Sequence, residues 1–391
     1  MKDKIKLGLR FFLIMLIVVL GSIISVRLWS GKSEKIDKPV EIIINENMTI
    51  SEIGKANDIE NIVLKKAFDI QTKEDLKKQF SEFSLTHEEA RIRINKFIAL
   101  QAEDASKNWI KIALKFAFWF AFLIIIYVLM RKKKIKTANR KWLYFIAVLI
   151  FGIILGADPS PMGTIKDNFA LFGSFHVIFP PRIIALFAML LMVILANKFI
   201  CSWGCQLGTL QDLIFRINKG KDGKPVVAQI KIPFIITNTI RIIFFIIFAA
   251  IALIWAFDII EPVDLFKIFK PSALGIIGII FAAIVFSLSL ILYRPWCHFF
   301  CPFGFIGWIA EKISLTHIKV DYDKCIACGT CVKKCPSTVM EAIIKKKKTI
   351  PDCFSCATCI ENCPVDAISF GSGKRSNPDK EFIQKLNRNI K

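Results

Sequence analysis

Cys325-Ile326-Ala327-Cys328-Gly329-Thr330-Cys331-Val332-Lys333-Lys334-Cys335-Pro336 sets three cysteines at every third position, a fourth one residue later than that rhythm, and a proline directly after it. Cys353, Cys356, Cys359, Cys363 and Pro364 repeat the frame. The chain holds 12 cysteines in 391 residues. The remaining four form two C-x3-C pairs, Cys201/Cys205 and Cys297/Cys301, each at the end of a long apolar run.

Closely spaced thiolates are soft anionic donors; a short loop supplies three and a distant residue closes the site. The doubled spacing is that of two-cluster ferredoxins, in which the fourth cysteine of each run serves the other cluster. Cys325, Cys328, Cys331 and Cys363 are therefore expected to hold one [4Fe–4S] cluster, and Cys353, Cys356, Cys359 and Cys335 a second. Gly329 lets backbone amides approach the inorganic sulfur, and the prolines redirect the chain. The competing reading is a zinc-knuckle array. Zinc sites need two C-x2-C pairs and have no use for a third evenly spaced cysteine.

The C-x3-C pairs place two sulfurs at i and i+4, on one face of a helix. Two such pairs could converge on one four-thiolate site at the inner membrane boundary, reading as a third iron–sulfur centre or a single tetrahedral metal. Trp203, Trp296, Phe299, Phe300, Phe303 and Trp308 would give it an aromatic shell. His298 lies inside the second pair, placed to tune it. The competing reading is buried, unligated cysteine, which packs as a small hydrophobe. The identical spacing in both pairs argues for metal. Haem is disfavoured, because no C-x-x-C-H occurs.

Hydrophobic residues make up 54% of the chain, which is not a soluble composition. Six apolar runs account for it, at 11–29, 116–130, 142–157, 183–200, 242–257 and 274–293. The net charge of +22 invites a nucleic-acid reading. Its distribution argues against one, because the lysines and arginines crowd into alternate loops as the positive-inside rule requires. Both termini are then cytoplasmic, in a bacterial inner membrane surrounded by lipid. Residues 30–108 and the nearly neutral loops 158–182 and 258–273 face outward. All 12 cysteines fall on the inner side, where thiols stay reduced. The N-terminal run lacks a small-residue cleavage site and reads as a retained anchor.

The expected fold is thus an α-helical integral membrane protein of about six spans with a C-terminal α+β two-cluster ferredoxin-like domain. Residues 1–29 form the anchor, 30–108 a small helical extracytoplasmic domain, 109–311 the transmembrane core, 312–370 the ferredoxin domain and 371–391 a flexible tail. The core divides into two parallel units, each passing through an acidic-Pro pair (Asp158-Pro159, Glu261-Pro262) and ending in its C-x3-C motif. In the outer domain, residues 40–44 read as a strand, and Thr49-x-x-Glu52 and Thr86-x-x-Glu89 as capping boxes. His87 reads as a surface residue of a first helical turn. His176 and Asp158 are candidates for a quinone site near the outer surface, and the lysines at 345–348 form a solvated turn.

Cys201-Ser202-Trp203-Gly204-Cys205 and Cys297-His298-Phe299-Phe300-Cys301-Pro302-Phe303-Gly304, leading into the doubled C-terminal motif, resemble the NapH/NosR-type membrane polyferredoxins over roughly residues 140–370. The resemblance implies an electron conduit fed by quinol or a cytoplasmic donor. It would support periplasmic reductases or the maturation of their metal centres. Two departures stand out: Gln206 replaces the family's proline after the first pair, and the flavin-attachment motif of larger members has no counterpart. The leading expectation is an electron-transfer protein working with redox partner proteins or quinone. The alternative is an accessory factor for metalloenzyme assembly or metal handling, with 30–108 as the docking surface for an outer partner. Whether the chain is itself an enzyme stays open.

Overall fold

The computed structural model describes residues 2–29, 39–220 and 224–390. The start of the outer segment at 30–38, residues 221–223 with the basic Lys221, and the two terminal residues lie outside the described residues.

The molecule is mostly helical. Long runs of Ile, Leu, Phe and Ala satisfy every backbone N–H and C=O within one segment, the condition for crossing hydrocarbon. Among the described residues four helices are long and apolar enough to do so: Lys2–Leu28, Trp109–Arg131, Thr137–Ile154 and Phe234–Ile254. The other two apolar runs give shorter helices, Pro180–Ala196 of 17 residues and Ile276–Leu288 of 13. At about 1.5 Å per residue the latter reaches only about 20 Å, short of a hydrocarbon core of about 30 Å. Ile184, Phe187, Ile235, Ile254, Ile276 and Ile277 project outward from these helices.

The two segments expected as outer loops are folded. Residues 158–182 contain the helix Gly163–Phe175, and 258–273 contain 3-10 turns at Glu261–Val263, Leu265–Phe269 and Pro271–Ala273. Leu265, Phe266, Ile268 and Phe269 turn inward and pack with Val18, Val148 and Cys205. The polar residues of both segments meet around buried Lys166. Its Nζ lies 2.5 Å from Glu261, 2.9 Å from Asp264, 3.5 Å from Asp258 and 3.6 Å from Asp167. Arg182 extends the network, 3.1 Å from Asp167 and 2.5 Å from Glu103.

The outer segment builds its own core from Ile42, Ile53, Leu64, Phe80 and Ile94 under the helices Ile50–Ala56, Asn61–Ala67 and His87–Ala105. Both capping boxes form: Thr49 and Thr86 accept from the amides of Glu52 and Glu89, each at 3.2 Å. Residues 40–44 form no strand, because helix side chains take the backbone bonds. Val40 N donates to Asn95 Oδ1 and Ile43 N to Asn57 Oδ1, both at 2.8 Å. His87 stacks on Phe80 at 5.1 Å.

At the other end, strands Thr316–Val320 and Ile368–Ser372 pair antiparallel with Ile318 opposite Phe370. The cysteine loops and the short helices Thr330–Lys334, Val339–Ile344 and Thr358–Glu361 lie between them. The tail expected to be flexible departs from that expectation. Its residues Lys380–Ile390 form a helix in which Phe382, Leu386 and Ile390 share one face. Leu386 is fully buried, and Asn389 Nδ2 donates to Ala327 O at 2.9 Å.

Candidate iron–sulfur sites

Each set of four cysteines expected to hold a ferredoxin cluster lines a single cavity. Cys325, Cys328, Cys331 and Cys363 line one, with Gly329, Pro364 and Ile344. Cys335, Cys353, Cys356 and Cys359 line the other, with Ser355, Met340 and Tyr293. The crossed arrangement, with the fourth cysteine of each run serving the opposite cavity, is the one the spacing demands. Among the described residues no three donors are gathered tightly enough to hold one metal ion; the cysteines surround a space.

The loop backbones fit a polyanionic cluster. Ala327 and Gly329 are left-handed in the first loop, with φ of 55° and 70°, and Ser355 and Ala357 in the second, with φ of 49° and 62°. Alternation of this kind turns successive amides inward as an anion-binding nest. Gly329 meets the demand freely; Ala357 meets it with a Cβ, so the conformation at that position is imposed by the loop. Ser355 Oγ is buried without a hydrogen-bond partner beside the second cavity. Sulfur is also addressed directly, since Ala367 N donates to Cys363 Sγ at 3.2 Å and Cys356 Sγ lies 3.2 Å from Thr358 Oγ1. Burial pushes the Cys331 thiol up to about 12. At Cys356 burial acts the same way, but Arg216, Arg140 and the hydrogen bond to Thr358 together outweigh it and the thiol is lowered. Thiolates are the ligating form, so loading these sites releases protons.

The C-x3-C pairs are built differently from expectation. Each pair straddles a helix break. Cys201 sits in the π-helical turn Ile200–Gly204, and Cys205 is the N-cap of Gln206–Ile217. Cys297 sits in the short helix Pro295–Phe299, and Cys301 is the N-cap of Pro302–Glu311, its sulfur accepting from Gly304 N at 3.4 Å. An arginine addresses the carbonyl of each leading cysteine: Arg294 Nη1 donates to Cys201 O at 2.7 Å and Arg241 Nη1 to Cys297 O at 3.4 Å. A glycine packs over that carbonyl in both, where an added Cβ would come within 2.4 Å of Cys201 O at Gly208 and 2.7 Å of Cys297 O at Gly304. Cys201, Cys205 and Cys301 are the other thiols that act electrostatically on Cys297. Gln211 Nε2 approaches Cys297 Sγ at 3.9 Å. Of the expected aromatic shell, Trp203, Trp296 and Phe303 are fully buried.

The second ferredoxin loop docks directly on these motifs. Buried Asp352 pairs with Lys198 and with Arg241 at 2.8 Å, and lies 3.8 Å from His298 Nδ1. Burial would raise its carboxyl, but Arg241 and Lys198 hold it down at about 2. Lys198 Nζ also donates to Gly304 O at 2.6 Å. Lys198, Arg241 and Arg294 escaped the sequence reading. A signal for Lys198 was present, because a cation inside an apolar run, here 183–200, is costly enough to mark a site by default.

Asp158 lines a cavity with Trp109, Ile112, Phe116, Thr164, Phe179 and Arg182. His176 is not part of it. That residue is exposed at the end of Gly163–Phe175, with φ of 53°, beside Phe172. Gln206, which follows the first pair, donates to Ala157 O at 2.7 Å.

Two protein families match the chain. The 4Fe-4S dicluster domain matches residues 317–374, and the 4Fe-4S binding domain matches twice, at 177–225 and 274–320. Three curated relatives are similar. "Putative electron transport protein YccM" of Escherichia coli is 26% identical over 39% of this chain and 45% of its own length. "Uncharacterized protein MJ0749" of Methanocaldococcus jannaschii is 26% identical over 54% of this chain and 77% of its own. "Uncharacterized protein MJ0750" of the same organism is 25% identical over 47% and 76%. The chain thus spans less than half the length of the first relative. No solved structure matches it. The matched families and the crossed cysteine cavities make this an iron–sulfur protein with a C-terminal ferredoxin-type dicluster domain.

Proposed function

We propose that the chain is a membrane-bound electron carrier of the NapH/NosR type, with two [4Fe–4S] clusters in the ferredoxin domain and a third metal centre at Cys201, Cys205, Cys297 and Cys301. Bound clusters would supply one-electron transfer. The protein's contribution is to hold the sites in line, exclude water and direct dipoles at sulfur. The observation that carries the reading is the docking of the Cys353 loop on both C-x3-C motifs through Asp352.

Six spans, with the two short apolar helices completing the set, fit the apolar outward surface. Two parallel units fit the double match of the 4Fe-4S binding domain and the paired Arg294/Gly208 and Arg241/Gly304 constructions. The basic loops favour a bacterial inner membrane with both termini inside. A soluble donor would meet the ferredoxin domain, and a quinone would occupy the cavity of Asp158 and Arg182. Phe116 in its wall packs edge-on against Trp119 at 5.4 Å, and Trp119 holds Gly204 between the first cysteine pair.

Iron and acid-labile sulfide, counted per chain after anaerobic purification, test the proposal. About 12 of each fits three cubane clusters; about eight restricts the electron path to the ferredoxin domain. Neither, in a folded protein, sinks it. The ion-pair link from Glu103 through Arg182 favours a second reading, in which the outer segment docks a partner whose metal centre this chain helps mature. Under that reading, removing residues 39–105 abolishes the partner's cofactor and leaves quinone-linked redox activity intact.

A further inference from the structure

The two ferredoxin sites have unlike surroundings. Residues 352–358 are buried against the membrane core, Cys356 only half so. Asp352 carries Lys198, Arg241 and His298, drawn from both C-x3-C units. Phe354 lies 4.6 Å under the Arg294 guanidinium and 5.4 Å from the His298 ring. Ser355 O accepts from Trp203 Nε1, and Thr358 Oγ1 from Arg216 Nη2, both at 3.2 Å. The corresponding loop 325–331 faces away. Its Ile326 is 49% exposed, Lys324 is exposed, and its other flank is covered by the C-terminal helix through Asn389 and Ile390.

We propose that this asymmetry sets the order of the relay. The Cys335/Cys353/Cys356/Cys359 site is the proximal station, held against the four membrane cysteines by Asp352 as positioning residue. The Cys325/Cys328/Cys331/Cys363 site is the distal station, reached by a soluble one-electron carrier at the Ile326 face. The inference rests on the electron-carrier reading above. Each hop transfers one electron and no atoms: the giving site is oxidised by one equivalent and the receiving site reduced by one. Two electrons from two molecules of reduced one-electron carrier at the distal end reduce a quinone at the membrane end, which takes up two protons. In the reverse direction a quinol releases two electrons and two protons and reduces two molecules of oxidised carrier.

Asp352 is more than a stabilising ion pair, because one of its partners touches the carbonyl of a ligand cysteine and another that of the glycine packed over the same motif. Arg241 spans Asp352 and Cys297 O; Lys198 spans Asp352 and Gly304 O. Loss of the carboxylate would release both C-x3-C motifs and the Cys353 loop together. Its removal leaves two buried cations unpaired, which is costly. Trp203→Phe, which deletes one neutral hydrogen bond to the same loop, therefore runs beside Asp352→Asn, with Asp352→Glu as the rescue.

The test is relaxation enhancement of the cluster EPR signals by a water-soluble nickel chelate, in full-length protein in nanodiscs. Signals are assigned with Cys328→Ser and Cys356→Ser. In the native protein the distal signal is relaxed and the proximal one shielded. Asp352→Asn abolishes that difference, Trp203→Phe diminishes it, and Asp352→Glu restores it. Equal access to both clusters in the native protein, or a proximal signal still shielded in Asp352→Asn, overturns the order. Metal analysis on the same samples separates this result from failure of the cofactor reading. Hydrogen exchange reads the junction at any loading. Asp352→Asn must speed exchange at 198–205 and 294–304 together with 350–358; faster exchange at 350–358 alone also overturns the proposal.

Discussion

The indole Nε1 of Trp119 donates to the carbonyl oxygen of Gly204 at 2.9 Å, and the Trp119 ring is fully buried. Trp119 stands midway along the 23-residue helix Trp109–Arg131, about 15 Å from either end at 1.5 Å per residue. Gly204 lies between Cys201 and Cys205, so the first C-x3-C pair sits at mid-height of that helix.

That depth predicts the reactivity of the thiols. After anaerobic removal of metal, a membrane-impermeant maleimide applied to either side of sealed vesicles should leave Cys201 and Cys297 unmodified. Cys328, half-buried at the exposed Ile326 loop, should react from the ferredoxin side alone. Peptide mass mapping reads this out. Equal modification of Cys201 and Cys328 would place the pair at an aqueous boundary.

The glycines over the leading cysteines make a second prediction. An alanine Cβ at Gly208 would press on Cys201 O at 2.4 Å, and at Gly304 on Cys297 O at 2.7 Å. The obstacle is backbone in both, so the turn carrying the cysteine must move. Gly208→Ala and Gly304→Ala should each lose about four iron atoms per chain while the two ferredoxin clusters stay, if one cubane resides there. Iron retained in full in both variants would mean that the turns do not shape a metal site.

The extent to which these sites were legible differs for a physical reason. The eight ferredoxin cysteines are local: two short loops supply six ligands, so spacing alone foretold which residues share a cavity. The cap residues Thr49 and Thr86 were readable for the same reason, because capping acts within four residues. Partners of Asp352 come from positions 198, 241 and 298, and spacing carries no trace of such distant contacts. The C-x3-C pairs were seen but misjudged in geometry. A continuous helix was assumed where the chain breaks. The C-terminal helix was missed because its apolar residues are few, though Phe382, Leu386 and Ile390 keep the four-residue interval that turns them to the packed face.

Ala357 gives a prediction of opposite sign to most substitutions. Its φ of 62° lies in the region glycine adopts freely, and its counterpart in the first loop is Gly329. Ala357→Gly should stabilise the loop or leave it unchanged, with a gain on the order of 1 kcal/mol set against the glycine's larger unfolded-state entropy. Ala357→Val, β-branched at the same φ, should lose at least that much. Thermal unfolding of the loaded protein measures both. A marked loss for Ala357→Gly would show that its methyl group, which lies in the core with Ile360 and Phe370, matters more than the backbone.

Asp212 is the sharpest test of how the buried charges hold the first motif. Its carboxylate accepts from Arg294 at 2.7 Å, from Arg216 at 2.5 Å and from the Tyr293 hydroxyl at 2.8 Å, all within the core. Arg294 carries the Cys201 carbonyl, and Arg216 reaches Thr358 beside the proximal cysteines. Asp212→Asn keeps the shape and removes the charge, leaving two buried guanidinium groups without a counter-ion. Breaking a buried pair from one side costs about 3–5 kcal/mol, whereas Tyr293→Phe, which removes one hydrogen bond, should cost about 1 kcal/mol. Denaturant unfolding in mild detergent, followed by cluster absorbance, separates the two. If Asp212→Asn costs no more than Tyr293→Phe, water reaches the guanidinium groups, and the dry, low-dielectric setting on which the cluster sites depend is absent there.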